Sequence, residues 1–349
     1  MFKPFFLLSL ALVCAFAAAP ERKVIVPVNS AKPVGPYSPG ILTDDYLYVS
    51  GQGVRDAAGK MPDGIEAQTR QCLDNVKAIV ETAGLTLEHV VHMQLYLEKI
   101  SDLAVVDRVY AAYFPKQPPA RTIIGTAKMP TDTTVEMTVV AVRDLKQKKV
   151  LSLKSLKPLG HASSAVEAAG RVYLSAVYGA TDNAAAQAFK NVLAEAKLSA
   201  SNTVFRNDYA TSATAAIAMH ELPAQMKSGI WAVLTRKAPV KEASCAVDGK
   251  TVYCTVQRDV AANDVQAQTR AVFQKLSANL AKHGATLAHV VASNVYLDDI
   301  GEFRPMNETY ATFFSAAPPT RTTVQPFAKA DRTQSGVALV KISVVAVKE

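Results

Sequence analysis

The sequence predicts an α+β protein made of repeated β-β-α-β-α-β-β modules. Three observations predict this class. Runs rich in β-branched residues alternate with amphipathic helical patterns over residues 24–144. The same series returns over residues 238–349, and a weaker version occupies residues 155–237. Amphipathic helices bury their apolar stripe against another layer, so each module is expected to cover a sheet with its helices.

The first module shows the order of elements most clearly. Two short apolar runs meet at Asp44-Asp45, which is a hairpin signal. Apolar residues then recur at helical spacing and end at Gly84, a typical C-cap, and a second helical pattern begins at Ser101, a typical N-cap. The predicted elements are a hairpin over residues 35–53, a helix over 66–85, a strand over 89–98, a helix over 101–114 and a strand pair over 118–142.

The last module repeats the first at a constant separation of 200 positions. Gln68-Thr69-Arg70 returns as Gln268-Thr269-Arg270, and PPAR, which ends at Arg121, returns as PPTR, which ends at Arg321. The closing strand differs, because Lys341 stands where the first module has Glu136. Matches at a fixed separation are the signature of an internal repeat.

The middle segment reads as a third, degenerate copy. Residues 157–176 follow residues 32–51 at a separation of 125, but the second half is eroded and carries no PPxR motif. A short helix is expected within residues 216–226 and a strand over 228–237. The alternative is an unrelated insertion of similar length.

The first 19 residues are typical of a secretory signal peptide. Lys3 supplies a positive start, Phe5 to Val13 form an apolar run, and Ala15-Phe16-Ala17 gives a small-x-small cleavage pattern. The run is too short for a membrane-spanning helix. We therefore expect a periplasmic or secreted protein that has no membrane contact after cleavage.

The charge and the cysteines point to few partners. The net charge is +8, and part of it lies in a lysine-rich connection after the first module, at Lys146, Lys148, Lys149, Lys154 and Lys157. No aromatic residues interleave with these lysines to stack bases, so a solvated linker is favoured over a nucleic-acid surface. The cysteines form no metal-binding pattern. Cys245 and Cys254 lie directly opposite if Asp248–Thr251 form a hairpin loop, which leaves a cross-strand disulfide open as a hypothesis.

Read in order, the motifs GPYS, SGQG, QTRQCLDNV, PPART and VEMTVVAV resemble those of the Rid/YjgF family of reactive-intermediate deaminases, also described as L-PSP-type proteins. The resemblance covers residues 24–143 fully, residues 240–347 except at their start, and the middle segment only in part. It implies a chorismate-mutase-like fold and a trimer with active sites between subunits. Two clear modules and one degenerate module in one chain are therefore expected to form an intrachain pseudo-trimer, monomeric in solution.

The resemblance also implies a chemistry. Family members hydrolyse enamine and imine carboxylates to a 2-keto acid and ammonia, with no metal or organic cofactor. The family's carboxylate-binding arginine corresponds to Arg121, its acidic residue to Glu136 and its site tyrosine to Tyr37. The backbone of Thr122 and Ile123 would help to hold the substrate.

Departures from the family pattern limit this assignment. The family often has Asn in the second helix, where the first module has Asp107 and the third has Asn307. Arg321 is kept in the third module without an acidic partner in its own closing strand. We therefore expect at most one complete site, built on the first module, and an anion pocket at Arg321 and Asn307. Arg121 and Glu136 could alternatively form only a structural ion pair, and Tyr37 could serve packing alone.

The functional hypothesis is an exported hydrolase of small imine or enamine carboxylates. The alternative is a carboxylate-binding protein of the same fold without catalysis. RNA cleavage is less favoured, because the sequence shows only the lysine-rich connection as a basic surface.

Overall fold

The computed structural model describes residues 22–242, 244–314 and 317–348. The expected signal peptide, residues 1–19, lies outside the described residues. Over the described ranges the strands form three sheets, the first and third covered by two α-helices each and the second by one. The α+β class is therefore confirmed.

The first sheet follows the predicted order with one addition, a short leading strand. Its strands are β1 (Lys23–Ile25), β2 (Gly40–Leu42), β3 (Tyr46–Gln52), β4 (Val90–Leu97), β5 (Ala120–Gly125) and β6 (Val135–Val142), and its helices are α1 (Ile65–Thr82) and α2 (Leu103–Tyr113). The sheet order is β1-β2-β3-β6-β4-β5, in which β4 and β5 are parallel. Gly84 follows α1 with a φ of 78°, a conformation that glycine adopts without a steric penalty.

The second sheet shows how far the middle module has degenerated. Its strands are β7 (Lys149–Leu151), β8 (Ala165–Ala168), β9 (Arg171–Leu174), β10 (Val177–Gly179), β11 (Thr203–Ala210), β12 (Ile217–Ala218) and β13 (Ser228–Thr235), and its helix is α3 (Asp182–Glu195). The sheet begins at Lys149, before the expected start at residue 155. The chain passes from β11 to β12 in six residues, so the second helix of the module is missing. The short helix expected within residues 216–226 is reduced to a single 3-10 turn at Pro223–Gln225, after β12.

The third sheet repeats the first. Its strands are β14 (Val240–Glu242), β15 (Cys245–Asp248), β16 (Thr251–Arg258), β17 (Val290–Leu297), β18 (Thr320–Val324) and β19 (Val340–Val347), and its helices are α4 (Val265–Ala281) and α5 (Phe303–Ala311). Cys245 and Cys254 face each other across β15 and β16 and form a disulfide, with their Cα atoms 4.1 Å apart. The structure therefore contains the cross-strand disulfide that the sequence had left open as a hypothesis.

The three sheets turn one face toward a shared core. Aromatic residues of every sheet meet there, including Tyr46, Tyr96, Tyr173, Tyr209, Tyr253 and Tyr296. The opposite face of each sheet packs against its own helices in a separate cluster. This is the arrangement expected of a pseudo-trimer within one chain, and it creates three boundaries between modules. Within the described ranges, no helix is both long and apolar enough to cross a membrane.

Candidate active site

The three module boundaries give three clefts that are equivalent in position and different in content. In each cleft, the strand that follows the second helix of one module faces the next module. In the middle module, where that helix is missing, β12 is the corresponding strand. The position that it faces is the one where the first module has Glu136. Strand registers define that position, because Tyr96 pairs with Glu136, Tyr209 with Gly229 and Tyr296 with Lys341. We call the boundary of modules three and one the first cleft, that of modules one and two the second cleft, and that of modules two and three the third cleft.

The first cleft contains a buried arginine, Arg321. It lies on β18, paired in register with Ser293, and is 3% exposed. Among the residues that the structure describes, its Nη1 and Nη2 atoms have no hydrogen-bond partner. The guanidinium lies 4.7 Å from the ring centre of Tyr310, 5.4 Å from that of Tyr37 and 5.5 Å from that of Phe303. Aromatic faces stabilise a cation without using its N–H donors, so those donors remain available to a ligand.

Glu136 faces this arginine from the first module. It lies on β6, is 7% exposed, and lines the same cavity as Arg321. Burial raises the pKa of Glu136 to about 8, and the nearby positive charge of Arg321 lowers it in part. A carboxyl group with a pKa near neutrality can both donate and accept a proton at physiological pH.

Two glycines make room for these side chains. A Cβ atom on Gly51 would lie 2.0 Å from Glu136 Oε1, and one on Gly35 would lie 2.6 Å from Arg321 Nη2. Gly51 belongs to the SGQG motif and Gly35 to the GPYS motif. Both motifs carry the family resemblance, but neither glycine was predicted from the sequence to take part in the site.

Tyr37 and Asn307 complete the polar rim of the cleft. The Tyr37 hydroxyl accepts a hydrogen bond from the backbone N–H of Val34 at 3.4 Å, and burial raises the pKa of that hydroxyl. Asn307 lies beside Gly35, and its buried Oδ1 has no hydrogen-bond partner within the described ranges. The cavity measures about 360 Å³ and is lined further by Gln52, Thr133, Phe303 and Thr323. Its volume suits a small molecule.

The structure places Arg121 elsewhere, which corrects the expected pairing with Glu136. Arg121 lies in the second cleft, where its Nη1 is 2.6 Å from Asp107 Oδ1 and its Nη2 donates to the carbonyl oxygen of Leu159 at 2.9 Å. Because modules pack head to tail, each arginine strand faces the acidic position of the following module and not that of its own. The arginine that shares a cavity with Glu136 is therefore Arg321, which had been expected only to bind an anion.

The second cleft is filled by the chain itself. Gly229 occupies the position of Glu136, and the ring of Tyr178 packs against it. The Tyr178 hydroxyl lies 2.8 Å from the backbone nitrogen and 2.7 Å from the carbonyl oxygen of Ile123. The Thr122 hydroxyl bonds to His92 Nε2 in the shared core. The backbone of Ile123, expected to hold the substrate, is thus occupied by Tyr178, and the hydroxyl of Thr122 is occupied by His92.

Thr323 stands in the first cleft where Ile123 stands in the second. It is buried, lines the cavity, and its Oγ1 has no hydrogen-bond partner in the part of the chain that the structure describes. The separation of 200 positions that relates Arg121 to Arg321 also relates these two residues, so the repeat contained the signal that would have identified Thr323. Over the described residues, no group of three or more His, Cys, Asp or Glu residues could hold a metal ion.

Comparisons with known proteins identify the family of the chain. The model of the family described as Endoribonuclease L-PSP matches residues 28–143 and 235–347, more than half of the chain. A RutC family protein of Pyrococcus horikoshii is 37% identical over 125 residues, which are 35% of this chain and 99% of that protein. The 2-iminobutanoate/2-iminopropanoate deaminase of Escherichia coli K12 is also 37% identical over 125 residues, 35% of this chain and 98% of its own.

Solved structures match over a similar share. The crystal structure of E. coli TdcF with bound serine is 30% identical, covers 35% of this chain and 99% of its own, and has a TM-score of 0.34. The two separate matches of the family model correspond to the two sheets that carry Glu136 and Arg321. The chain therefore belongs to the Endoribonuclease L-PSP family, which is the family that its motifs resemble under the name Rid/YjgF.

Proposed function

We propose that the chain hydrolyses small imine or enamine carboxylates to a 2-keto acid and ammonia in the first cleft. One observation carries the proposal. A buried arginine with free N–H donors faces a carboxyl group whose pKa is about 8, in a cavity of small-molecule size. This arrangement can bind an anion and move protons beside it.

The substrate carboxylate is assigned to Arg321. Its Nη1 and Nη2 donors form a planar fork that matches a carboxylate with two hydrogen bonds. Burial lowers the pKa of Arg321, because a desolvated cation without an anion is costly, and a bound carboxylate would relieve that cost. The equivalent Arg121 is already neutralised by Asp107, whereas the uncharged Asn307 leaves Arg321 available.

Proton transfer is assigned to Glu136. In its neutral form the carboxyl group can protonate the β carbon of an enamine as the carbon–carbon double bond shifts to carbon–nitrogen, which yields an iminium ion. The positive charge of the iminium stabilises the carboxylate that remains. That carboxylate then takes a proton from water as the water oxygen bonds to the iminium carbon.

The second half of the reaction returns Glu136 to its starting state. The protonated Glu136 donates to the amine nitrogen of the tetrahedral intermediate, and the carbon–nitrogen bond breaks with release of ammonia. As the carbonyl forms, the Glu136 carboxylate takes the hydroxyl proton and returns to its neutral state. In total, one enamine and one water give one 2-keto acid and one ammonia, without a redox partner.

The relatives support the proposed class of reaction, and the signal-like start of the sequence supports its proposed location. One matched E. coli protein is named as a deaminase of 2-iminobutanoate and 2-iminopropanoate, both small imine carboxylates. From the signal-like start of the sequence we propose that the reaction takes place in the periplasm or outside the cell. A monomer with internal pseudo-threefold packing accounts for three sheets around one core.

A comparison of three variants tests the proposal. Imines would be generated in situ by an amino-acid oxidase, and the release of ammonia would be followed with the purified protein. Arg321→Gln and Glu136→Gln are each expected to lower kcat/KM by about 10² or more, the usual contribution of a positioned acid–base or carboxylate-binding group. The matched control is the double variant Arg121→Gln with Asp107→Asn, which removes both charges of the second cleft and should change kcat/KM by less than about threefold.

The outcomes separate catalysis from binding. If the wild type does not accelerate hydrolysis but binds a 2-keto acid in a manner lost in Arg321→Gln, the chain is a carboxylate-binding protein. If the double variant of the second cleft loses activity as strongly as Arg321→Gln does, the assignment of the first cleft is wrong.

A further inference from the structure

The third cleft has a different shape from the other two. Its cavity measures about 500 Å³, against about 360 Å³ in the first cleft. In modules one and three a helix precedes the arginine strand, but the middle module has only the six residues between Ala210 and Ile217 there. Ile217 pairs with Tyr209 as Ile124 pairs with Tyr96, and the residue three positions before Ile217 is Thr214, whereas the residue three positions before Ile124 is Arg121. The missing helix therefore leaves an enlarged cavity.

The third cleft also has the opposite charge at the position of Glu136. Lys341 occupies that position, lines the cavity, and is partly buried. Its Nζ donates one hydrogen bond, to the carbonyl oxygen of Ala216 at 2.7 Å, which leaves two of its three donors free. Arg258 pairs directly opposite Lys341 on the neighbouring strand β16 and lines the same cavity. Like charges opposite each other on a sheet are destabilising.

The other charged groups of the cavity do not neutralise this pair. Asp298 accepts hydrogen bonds from Arg332 Nε at 3.0 Å and from the backbone N–H of Ala330 at 2.9 Å. Lys329 is 2.7 Å from Asp299 Oδ2. Within the described ranges, neither Lys341 nor Arg258 has an ion pair with a carboxylate. Burial and the nearby guanidinium both lower the pKa of Lys341, whereas the negative charge of Asp298 raises it.

We propose that the third cleft is a binding site for a small organic carboxylate, separate from the first cleft. Lys341 and Arg258 would hold the carboxylate group, and the anion would relieve their mutual repulsion. Apolar walls remain for the rest of the ligand, from Ile217, Tyr296, Phe327 and Val337. A carboxylate with an apolar body fits this combination better than a fully hydrated inorganic anion.

Calorimetric titration with benzoate tests the proposal. The titration is made on the full chain carrying Arg321→Gln, which removes the anion donors of the first cleft. Benzoate is expected to bind this variant, and adding Arg258→Gln and Lys341→Gln should weaken binding by about 10- to 100-fold, the loss expected for two charge-assisted hydrogen bonds. Benzamide, which has the same body without the charge, should bind about tenfold more weakly than benzoate.

A measurement of activity separates the two clefts. The double variant Arg258→Gln with Lys341→Gln, made with Arg321 intact, should retain the wild-type rate of imine hydrolysis. The proposal is overturned if benzoate binds equally with and without Arg258 and Lys341, if benzamide binds as tightly as benzoate, or if Arg321→Gln alone abolishes binding. Because both side chains lie at the cavity surface, circular dichroism should show an unchanged fold.

Discussion

Replacing Glu136 by Gln should stabilise the protein at alkaline pH while it removes the proposed catalytic group. Glu136 is buried, and its carboxyl group has no ion pair within the described part of the chain. In the folded state its pKa is about 8, against an ordinary value of 4.5. Because the folded-state pKa is raised, the stability contributed by the neutral form is fully present below pH 4.5 and is lost as the pH rises through 8.

The size of the effect follows from these two pKa values. They differ by about 3.5, and each pKa unit corresponds to about 1.4 kcal/mol, so ionisation costs the fold up to about 5 kcal/mol above pH 8. Gln has a similar shape and no charge at any pH. The advantage of Glu136→Gln in free energy of unfolding should therefore grow by about 3–4 kcal/mol between pH 5 and pH 9.

Urea unfolding at pH 5, 7 and 9 measures this advantage. Trp231 is the only tryptophan of the chain and is buried in the shared core, so its fluorescence reports unfolding of the packed modules. Glu242→Gln, on the exposed strand β14, is the matched control and should show a difference from wild type that does not change with pH. A pH-independent difference for Glu136→Gln as well would refute the reasoning, since it would mean that the Glu136 carboxyl group is solvated in the folded protein.

Three further predictions concern the same site and its support. Arg321→Gln should raise the pKa of Glu136 further, because the charge of Arg321 lowers that pKa in the wild type. Carbon-13 NMR of labelled glutamate measures the pKa, and a lower value in the variant would contradict the prediction. Gly51→Ala should reduce kcat/KM by about 10²-fold, since the added Cβ lies 2.0 Å from Glu136 Oε1 and displaces the carboxyl group. Unchanged kinetics would show that the carboxyl group can move without loss of activity. Replacing Cys245 and Cys254 together by Ala should lower stability by about 2–3 kcal/mol, measured by urea unfolding, with activity retained; equal stability would mean that the crosslink contributes nothing.

The sequence was sufficient for the architecture of each module because local patterns determine it. Helical spacing ending at Gly84, and the constant separation of 200 positions, predicted the elements of modules one and three. The middle module was harder to predict, because the loss of a helix leaves no positive signal. Residues 216–226 kept enough apolar character to suggest one, but the chain there forms a two-residue strand and a single 3-10 turn.

The composition of the site depended on packing between modules, which no local pattern encodes. Arg121 and Glu136 are 15 positions apart and lie on neighbouring segments, so the sequence favoured a shared site. The head-to-tail packing of modules instead brings Glu136 to Arg321. One signal of this did exist: Asp107 places a carboxylate beside Arg121, whereas Asn307 leaves the equivalent Arg321 without one.

The first cleft is built from modules one and three, and this has a consequence for biosynthesis. Glu136 and Tyr37 are synthesised before Arg321, and Arg22 Nη2 donates hydrogen bonds to the carbonyl oxygens of Val290 and Ala317 where the ring of modules closes. Domains generally fold in order during translation. The proposed catalytic arrangement is therefore completed only when module three has folded, so a nascent or truncated chain that has folded its first two modules still lacks the proposed activity.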